Sequence, residues 1–67
     1  MLQYTKRLKM NLIKQLEEYR LKNSISQQKL AKLLAVDYST VNEWFMGKRI
    51  PNKIKTYHIK KFLEKNK

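Results

Sequence analysis

Apolar residues recur three and four residues apart in two short runs in the middle of the chain. The first run consists of Leu30, Ala31, Leu33 and Leu34, and the second of Val41, Trp44 and Phe45. This spacing gives a helix one apolar face. Ala35 and Val36 interrupt the pattern between the two runs. The pattern therefore predicts two short amphipathic helices joined by a tight turn.

Residues suited to helix ends bracket both runs. Ser26 precedes the first run, where its hydroxyl can accept a hydrogen bond from a backbone N–H of the opening turn. Asp37 precedes the second run and would place its carboxylate at the positive end of that helix. Gly47, the only glycine in the chain, follows the second run, where a left-handed residue closes a helix at the lowest cost. Residues 26–47 therefore predict a helix-turn-helix.

A further helix is predicted on each side of this unit. The first spans residues near 10–22 and ends at Asn23-Ser24, because Asn suits a left-handed terminus. The last spans residues 53–65 and begins after Asn52, a natural N-cap. Its inward residues are predicted to be Ile59, Phe62 and Leu63, while those at a rim or a subunit contact come from Ile54, Tyr57 and His58. The predicted fold class is a small all-α bundle of four helices, or five.

The charge balance points to a class of partner. Sixteen Lys and Arg face five Asp and Glu, which leaves a net charge of +11 on 67 residues. Such an excess repels itself and favours a polyanionic partner. A lysine-rich solubilising surface is the alternative explanation, but in combination with a helix-turn-helix the charge favours nucleic acid. Residues 1–10, which include Lys6, Arg7 and Lys9, are predicted to be a basic N-terminal extension or an early turn of the first helix, and residues 11–65 the domain.

Length and composition argue against catalysis. A chain of 67 residues buries only about 60% of its unfolded surface and has no room for a deep catalytic cleft. The absence of cysteine rules out disulfides and thiolate metal sites. His58 has no companion at ligand spacing, and no residue pair suited to proton transfer stands out. We therefore expect no enzyme activity, no metal, no cofactor and no small-molecule ligand.

The chain is expected in the cytoplasm. No apolar run approaches the roughly 20 residues that a membrane span needs. Charged residues interrupt the apolar positions of the N-terminus, which argues against a secretory signal. We therefore expect no membrane partner.

Residues 11–63 resemble the helix-turn-helix domain of phage repressor and Cro proteins and of XRE-type bacterial regulators. The matching positions are Leu16, Arg20, Ile25, Ser26, Gln27, Ala31, Val41, Trp44, Gly47, Lys48, Pro51, Ile59 and Leu63. The resemblance implies a lambda repressor-like fold. Two positions depart from it: many relatives have Glu where Phe45 stands, paired with the Arg at Arg20, and Gly where Ala35 stands.

The resemblance implies a docking geometry in which the helix near residues 38–46 enters the major groove. The residues then placed at base edges are Tyr38, Ser39, Thr40, Asn42 and Glu43. Those placed at phosphates are Gln27, Lys29, Lys48 and Arg49. The alternative for each is a solvated side chain on an exposed helix face. Trp44 is expected in the core, with its indole N–H hydrogen-bonded.

The function expected from these features is sequence-specific binding of double-stranded DNA by a transcriptional regulator, a repressor, acting as a homodimer in solution or only on DNA. An alternative is a protein-interaction module, an adaptor or antitoxin-like partner, that keeps the fold without reading DNA. A basic amphipathic peptide acting at anionic membranes is a third. The capped short helices and the tight turn argue against that third reading.

Overall fold

Four α-helices follow one another in a computed structural model that describes residues 6–66, with side chains from residue 9 onwards. The helices are α1 (Lys6–Lys22), α2 (Gln27–Leu34), α3 (Tyr38–Phe45) and α4 (Lys53–Lys65). The helix pairs in contact are α1 with α3 and α4, and α2 with α3 and α4. No strand occurs in the described part of the chain. The predicted small all-α bundle with a helix-turn-helix is confirmed, with four helices.

The first helix begins earlier than the sequence pattern indicated. It starts at Lys6, whereas the start was predicted near residue 10. The residues between these points are Lys, Arg, Leu, Lys and Met, all good helix formers, and no Gly or Pro interrupts them. Residues 6–10 are thus the opening turn of α1. Residues 1–5 of the predicted basic extension lie outside the described residues.

The core lies where the four helices meet. Its buried apolar residues are Ile13, Leu16, Leu30, Ala31, Leu34, Val41, Trp44 and Ile59. Trp44 is 2% exposed, so its predicted core position is confirmed. Its indole Nε1 is buried without a hydrogen-bond partner among the described side chains, so the expected bond is wrong. Trp44 belongs to the apolar core cluster, and its N–H is one of the buried polar groups left without an acceptor there.

One apolar residue of α2 was placed on the wrong side. Leu33 was predicted to share the apolar face with Leu30 and Leu34, but it is 45% exposed. Successive residues of a helix are separated by about 100°. The direction midway between Leu30, Ala31 and Leu34 therefore lies about 100° from Leu33, and Leu33 points to solvent.

The last helix has a buried side and an exposed side, as its sequence predicted. Ile59 is buried, and Phe62 and Leu63 pack against the core. Phe62 meets Tyr19 of α1 edge-to-face, with ring centroids 5.2 Å apart. Ile54 and Tyr57 are exposed to 65% and 57%. The predicted inward residues of α4 are therefore confirmed, Ile54 and Tyr57 lie outside the core, and a subunit contact through them stays a prediction.

Three connections close with a left-handed residue. Ser24, Ala35 and Gly47 have φ of 54°, 58° and 76°. In each case the next N–H reaches back to a helix carbonyl: Ile25 to Arg20 at 2.9 Å, Val36 to Ala31 at 3.0 Å, and Lys48 to Glu43 at 2.9 Å. These are Schellman closures, which satisfy carbonyls at the helix end. The predicted left-handed Gly47 is confirmed.

The first of these closures uses Ser24 instead of Asn23. Asn23 remains outside the left-handed region, and its side-chain amide donates to the carbonyl of Tyr19 at 2.9 Å. The carbonyl of Tyr19 therefore accepts from both the backbone N–H and the side-chain amide of Asn23. Ser24, the following residue, adopts the left-handed conformation instead. The prediction that Asn23 would be the left-handed residue was wrong.

The helix N-termini also differ from one another. Ser26 Oγ accepts from the backbone N–H of Lys29 at 3.1 Å, and Asn52 Oδ1 from that of Lys55 at 2.8 Å. Both predicted caps are confirmed. Asp37 occupies the N-cap position of α3, but its carboxylate makes no capping hydrogen bond. Its contribution is limited to charge at the helix end.

Candidate nucleic-acid interface

One face of α3 is turned away from the core. Val41 and Trp44 are 0% and 2% exposed and fix the buried side of this eight-residue helix. A rotation of about 100° per residue puts Ser39, Glu43 and Met46 on the opposite side. Met46 is 57% exposed and Ser39 is also exposed. We call this side, with the residues that flank it, the outer face of α3.

The five residues expected at base edges all reach solvent. Tyr38 is 48% exposed. Ser39 is exposed as well, while Thr40, Asn42 and Glu43 are half-buried. Asn42 flanks the outer face on the side of α2, and Thr40 flanks it on the side of α4. The structure thus brings the five residues to one helix surface, and none of them is buried.

A hydrogen bond ties the outer face to the start of α2. The side-chain Nδ2 of Asn42 donates to Oε1 of Gln27 at 3.0 Å. Gln27 is the first residue of α2. Its own amide N–H groups are not used in this bond and can donate to an anion. Asn42 keeps its Oδ1 and its second N–H, the pair of groups that recognises adenine.

An ion pair ties the other side of the outer face to the segment after α3. Nε of Arg49 lies 2.9 Å from Oε1 of Glu43, and the two side chains are 57% and 38% exposed. The backbone N–H of Arg49 also donates to the carbonyl of Glu43, at 3.3 Å. The structure therefore joins a residue expected at a base edge to one expected at a phosphate.

The two lysines expected at phosphates lie on separate segments. Lys29 belongs to the first turn of α2, and Lys48 follows Gly47 directly after α3. Both side chains are exposed, and neither forms a salt bridge within residues 9–66. Of the three basic residues expected at phosphates, Arg49 is the one that the structure joins to the outer face of α3, through Glu43.

Two residues near this surface were missed at the level of sequence. Met46 is the C-cap of α3 and shares the outer face with Glu43, three residues earlier. That spacing was available in the sequence, and an apolar side chain there can pack on a thymine methyl. Lys55 of α4 is half-buried and lines an open groove with Thr40 and Arg49. Only the tertiary fold brings Lys55 there, so no local pattern could have revealed it.

Among residues 6–66, no group of His, Cys, Asp and Glu is arranged to hold a metal ion. None of the helices described combines the length and the apolar character that crossing a membrane requires.

In this site an exposed polar helix packs on a second helix across a tight turn, with basic residues on the neighbouring segments. This arrangement is typical of DNA-binding helix-turn-helix proteins. The sequence model of a helix-turn-helix family, the one that holds XRE-type and Cro/C1-type proteins, matches residues 16–55. The chain belongs to this family, and it is a DNA-binding helix-turn-helix protein of the regulatory kind. No individual curated protein and no solved structure matches the chain.

Proposed function

We propose that the protein is a transcriptional repressor that binds a specific double-stranded DNA sequence in the cytoplasm by inserting α3 into the major groove. The observation that supports this most directly is the outer face of α3. It carries polar side chains at the solvent boundary, and Val41 and Trp44 anchor the opposite side of the same helix in the core. A rigid helix of this kind fits the width of the major groove.

The base contacts follow from the chemistry of the outer face. Asn42 pairs with adenine through N6 and N7, and its bond to Gln27 holds the amide in one orientation. The methyl group of Thr40 packs on a thymine methyl. Ser39 and Tyr38 donate or accept at a neighbouring base or phosphate. Glu43 belongs to the same face and forms an ion pair with Arg49.

The phosphate contacts come from both sides of α3. Gln27 meets a phosphate at the N-terminus of α2, where its amide and the helix N–H groups act together. Lys29, Lys48 and Arg49 supply positive charge. Each phosphate neutralised adds about −0.9 to the slope of log K against log salt. Binding should therefore weaken steeply as salt is raised.

Two subunits bind a palindromic site, with half-sites about one helical turn apart. Each subunit carries +11, so two subunits repel each other in solution, and the phosphates of DNA offset this repulsion. The exposed Ile54 and Tyr57 of α4 offer an apolar contact between the subunits. Pairing takes place through α4 in solution or only on the operator.

A second candidate is a protein-interaction module that keeps the fold without reading DNA. The same exposed Ile54 and Tyr57 favour it, since apolar side chains on one helix face mark protein contacts. Titration of fluorescent duplex pools at two salt concentrations separates the candidates. Steep salt dependence together with recovery of a palindrome supports the repressor. Salt-insensitive binding to a protein, with no DNA motif selected, supports the interaction module.

A further inference from the structure

We propose that Glu43 does not read a base but positions Arg49, and that the Arg49 guanidinium makes the DNA contact at this end of α3. The inference rests on the proposed function, because it concerns how the same surface meets a duplex. It replaces the base contact expected of Glu43 by a contact that Glu43 makes within the protein.

The geometry of the pair is the first argument. Nε of Arg49 and Oε1 of Glu43 are 2.9 Å apart, which is the distance of a charge-assisted hydrogen bond. The backbone reinforces this position, because the N–H groups of Lys48 and Arg49 both donate to the carbonyl of Glu43. The Schellman closure at Gly47 thus turns the chain back and sets Arg49 beside the last turn of α3.

The remaining donors of Arg49 are the second argument. An Arg guanidinium carries N–H groups at Nε, Nη1 and Nη2, and the ion pair with Glu43 uses Nε. The Nη1 and Nη2 groups form a fork that matches two phosphate oxygens. Arg49 is 57% exposed, so this fork is accessible to a duplex lying on the outer face.

The charge of Glu43 is the third argument. A carboxylate facing phosphates is repelled unless a cation accompanies it. The pair is exposed to solvent, and surface ion pairs contribute little to folding stability. Its principal consequence is therefore the location of the guanidinium, and Glu43 acts on DNA through Arg49.

A double-mutant cycle tests the inference. The wild-type chain, Glu43→Ala, Arg49→Ala and the double variant are titrated by fluorescence anisotropy onto the duplex that the wild type selects from a random pool. We expect Arg49→Ala to weaken binding about tenfold, because it removes a phosphate contact and leaves Glu43 unpaired beside the DNA. The double variant should bind about threefold more tightly than Arg49→Ala, because the unpaired carboxylate is gone.

Base preference supplies the second readout. Glu43→Ala and Glu43→Gln should both select the wild-type motif, since neither removes a base contact. If Glu43 instead accepts a hydrogen bond from cytosine, Glu43→Ala should lose the preference at one base pair. Adding Glu43→Ala to Arg49→Ala should then weaken DNA binding further. Either result overturns the inference. A parallel cycle of Glu43→Ala with Lys29→Ala, which share no contact, should be additive. Circular dichroism of each variant checks that the helices are intact.

The same experiment separates this inference from the function on which it rests. If the wild type selects no duplex, the repressor assignment and the role of Glu43 are both overturned. If the wild type selects a motif and the double variant binds no better than Arg49→Ala, only the role of Glu43 is overturned.

Discussion

The guanidinium carbon of Arg20 lies 5.7 Å from the ring centroid of Phe45, a cation–π contact between α1 and the last residue of α3. Nη1 of Arg20 donates to the carbonyl of Ile25 at 3.1 Å, and Nη2 lies 3.6 Å from a carboxylate oxygen of Glu17. The resemblance implies an ion pair between these two positions, and in this chain the aromatic ring of Phe45 contacts the guanidinium instead. Arg20 therefore joins α1, α3 and the segment before α2.

Replacement of Arg20 by Lys should destabilise the fold. An ammonium group lacks the planar face that lies over Phe45 and the fork that reaches Ile25 and Glu17. We expect the free energy of unfolding to fall by about 1–2 kcal/mol, measured by urea denaturation followed through Trp44 fluorescence. Glu17→Gln is the matched control, since Glu17 is 44% exposed, and it should change stability by less than about 0.5 kcal/mol. Equal losses in both variants would contradict this role of Arg20.

The turn between α2 and α3 holds a strained residue. Ala35 has φ of 58°, a left-handed conformation that disfavours a Cβ. Ala35→Gly should therefore raise the free energy of unfolding by about 0.5–1 kcal/mol. Gly47→Ala is the complementary change, because no atom beyond the adjacent residues lies within 4 Å of the added Cβ and only the φ of 76° opposes it. It should lower stability by about 1 kcal/mol. Thermal unfolding of both variants measures the two effects, and changes of the same sign would refute this account.

The start of α4 depends on a side-chain cap. Asn52→Ala removes the acceptor for the N–H of Lys55, and we expect a loss of about 1 kcal/mol in the free energy of unfolding. Asp37→Ala removes an N-cap residue whose side chain makes no such bond, so its loss should be smaller. Chemical denaturation of the two variants compares them directly. A larger loss for Asp37 would show that its carboxylate caps α3 in solution.

The helices could be predicted from sequence because their signals are local. Periodicity located α2, α3 and α4, and Ser26 and Asn52 marked the starts of two of them. The errors arose where local signals compete. Nothing in the sequence stops α1 at residue 10, and Asn23 uses its side chain on a carbonyl and leaves the left-handed conformation to Ser24.

The candidate site could be predicted only as separate sets of residues on α2, on α3 and on the segment after α3. The bond between Gln27 and Asn42 joins residues fifteen positions apart, and no spacing rule reports it. The ion pair between Glu43 and Arg49 depends on the reversal of the chain at Gly47. Sequence therefore identifies which side chains face outward, while tertiary contacts decide which of them are free to meet DNA.

Gln27 should influence base preference as well as affinity. Gln27→Ala removes the acceptor that holds Asn42, so the amide of Asn42 gains rotational freedom. We expect weaker binding to every duplex and, in addition, a reduced preference at the base pair that Asn42 contacts. Competition titrations with single-base variants of the selected duplex measure both effects. Lys29→Ala, at the same end of α2, should weaken all duplexes alike, and a uniform loss for Gln27→Ala as well would remove Gln27 from base recognition.

In the proposed function, the outer face of α3 reads a DNA sequence. Selection from random duplexes by the wild type, Asn42→Ala and Lys48→Ala tests it most directly. We expect the wild type to select a palindromic motif, Asn42→Ala to lose preference at one or two base pairs in each half-site, and Lys48→Ala to retain the motif with lower affinity. No motif for the wild type, or a motif that Asn42→Ala leaves unchanged, would contradict the claim.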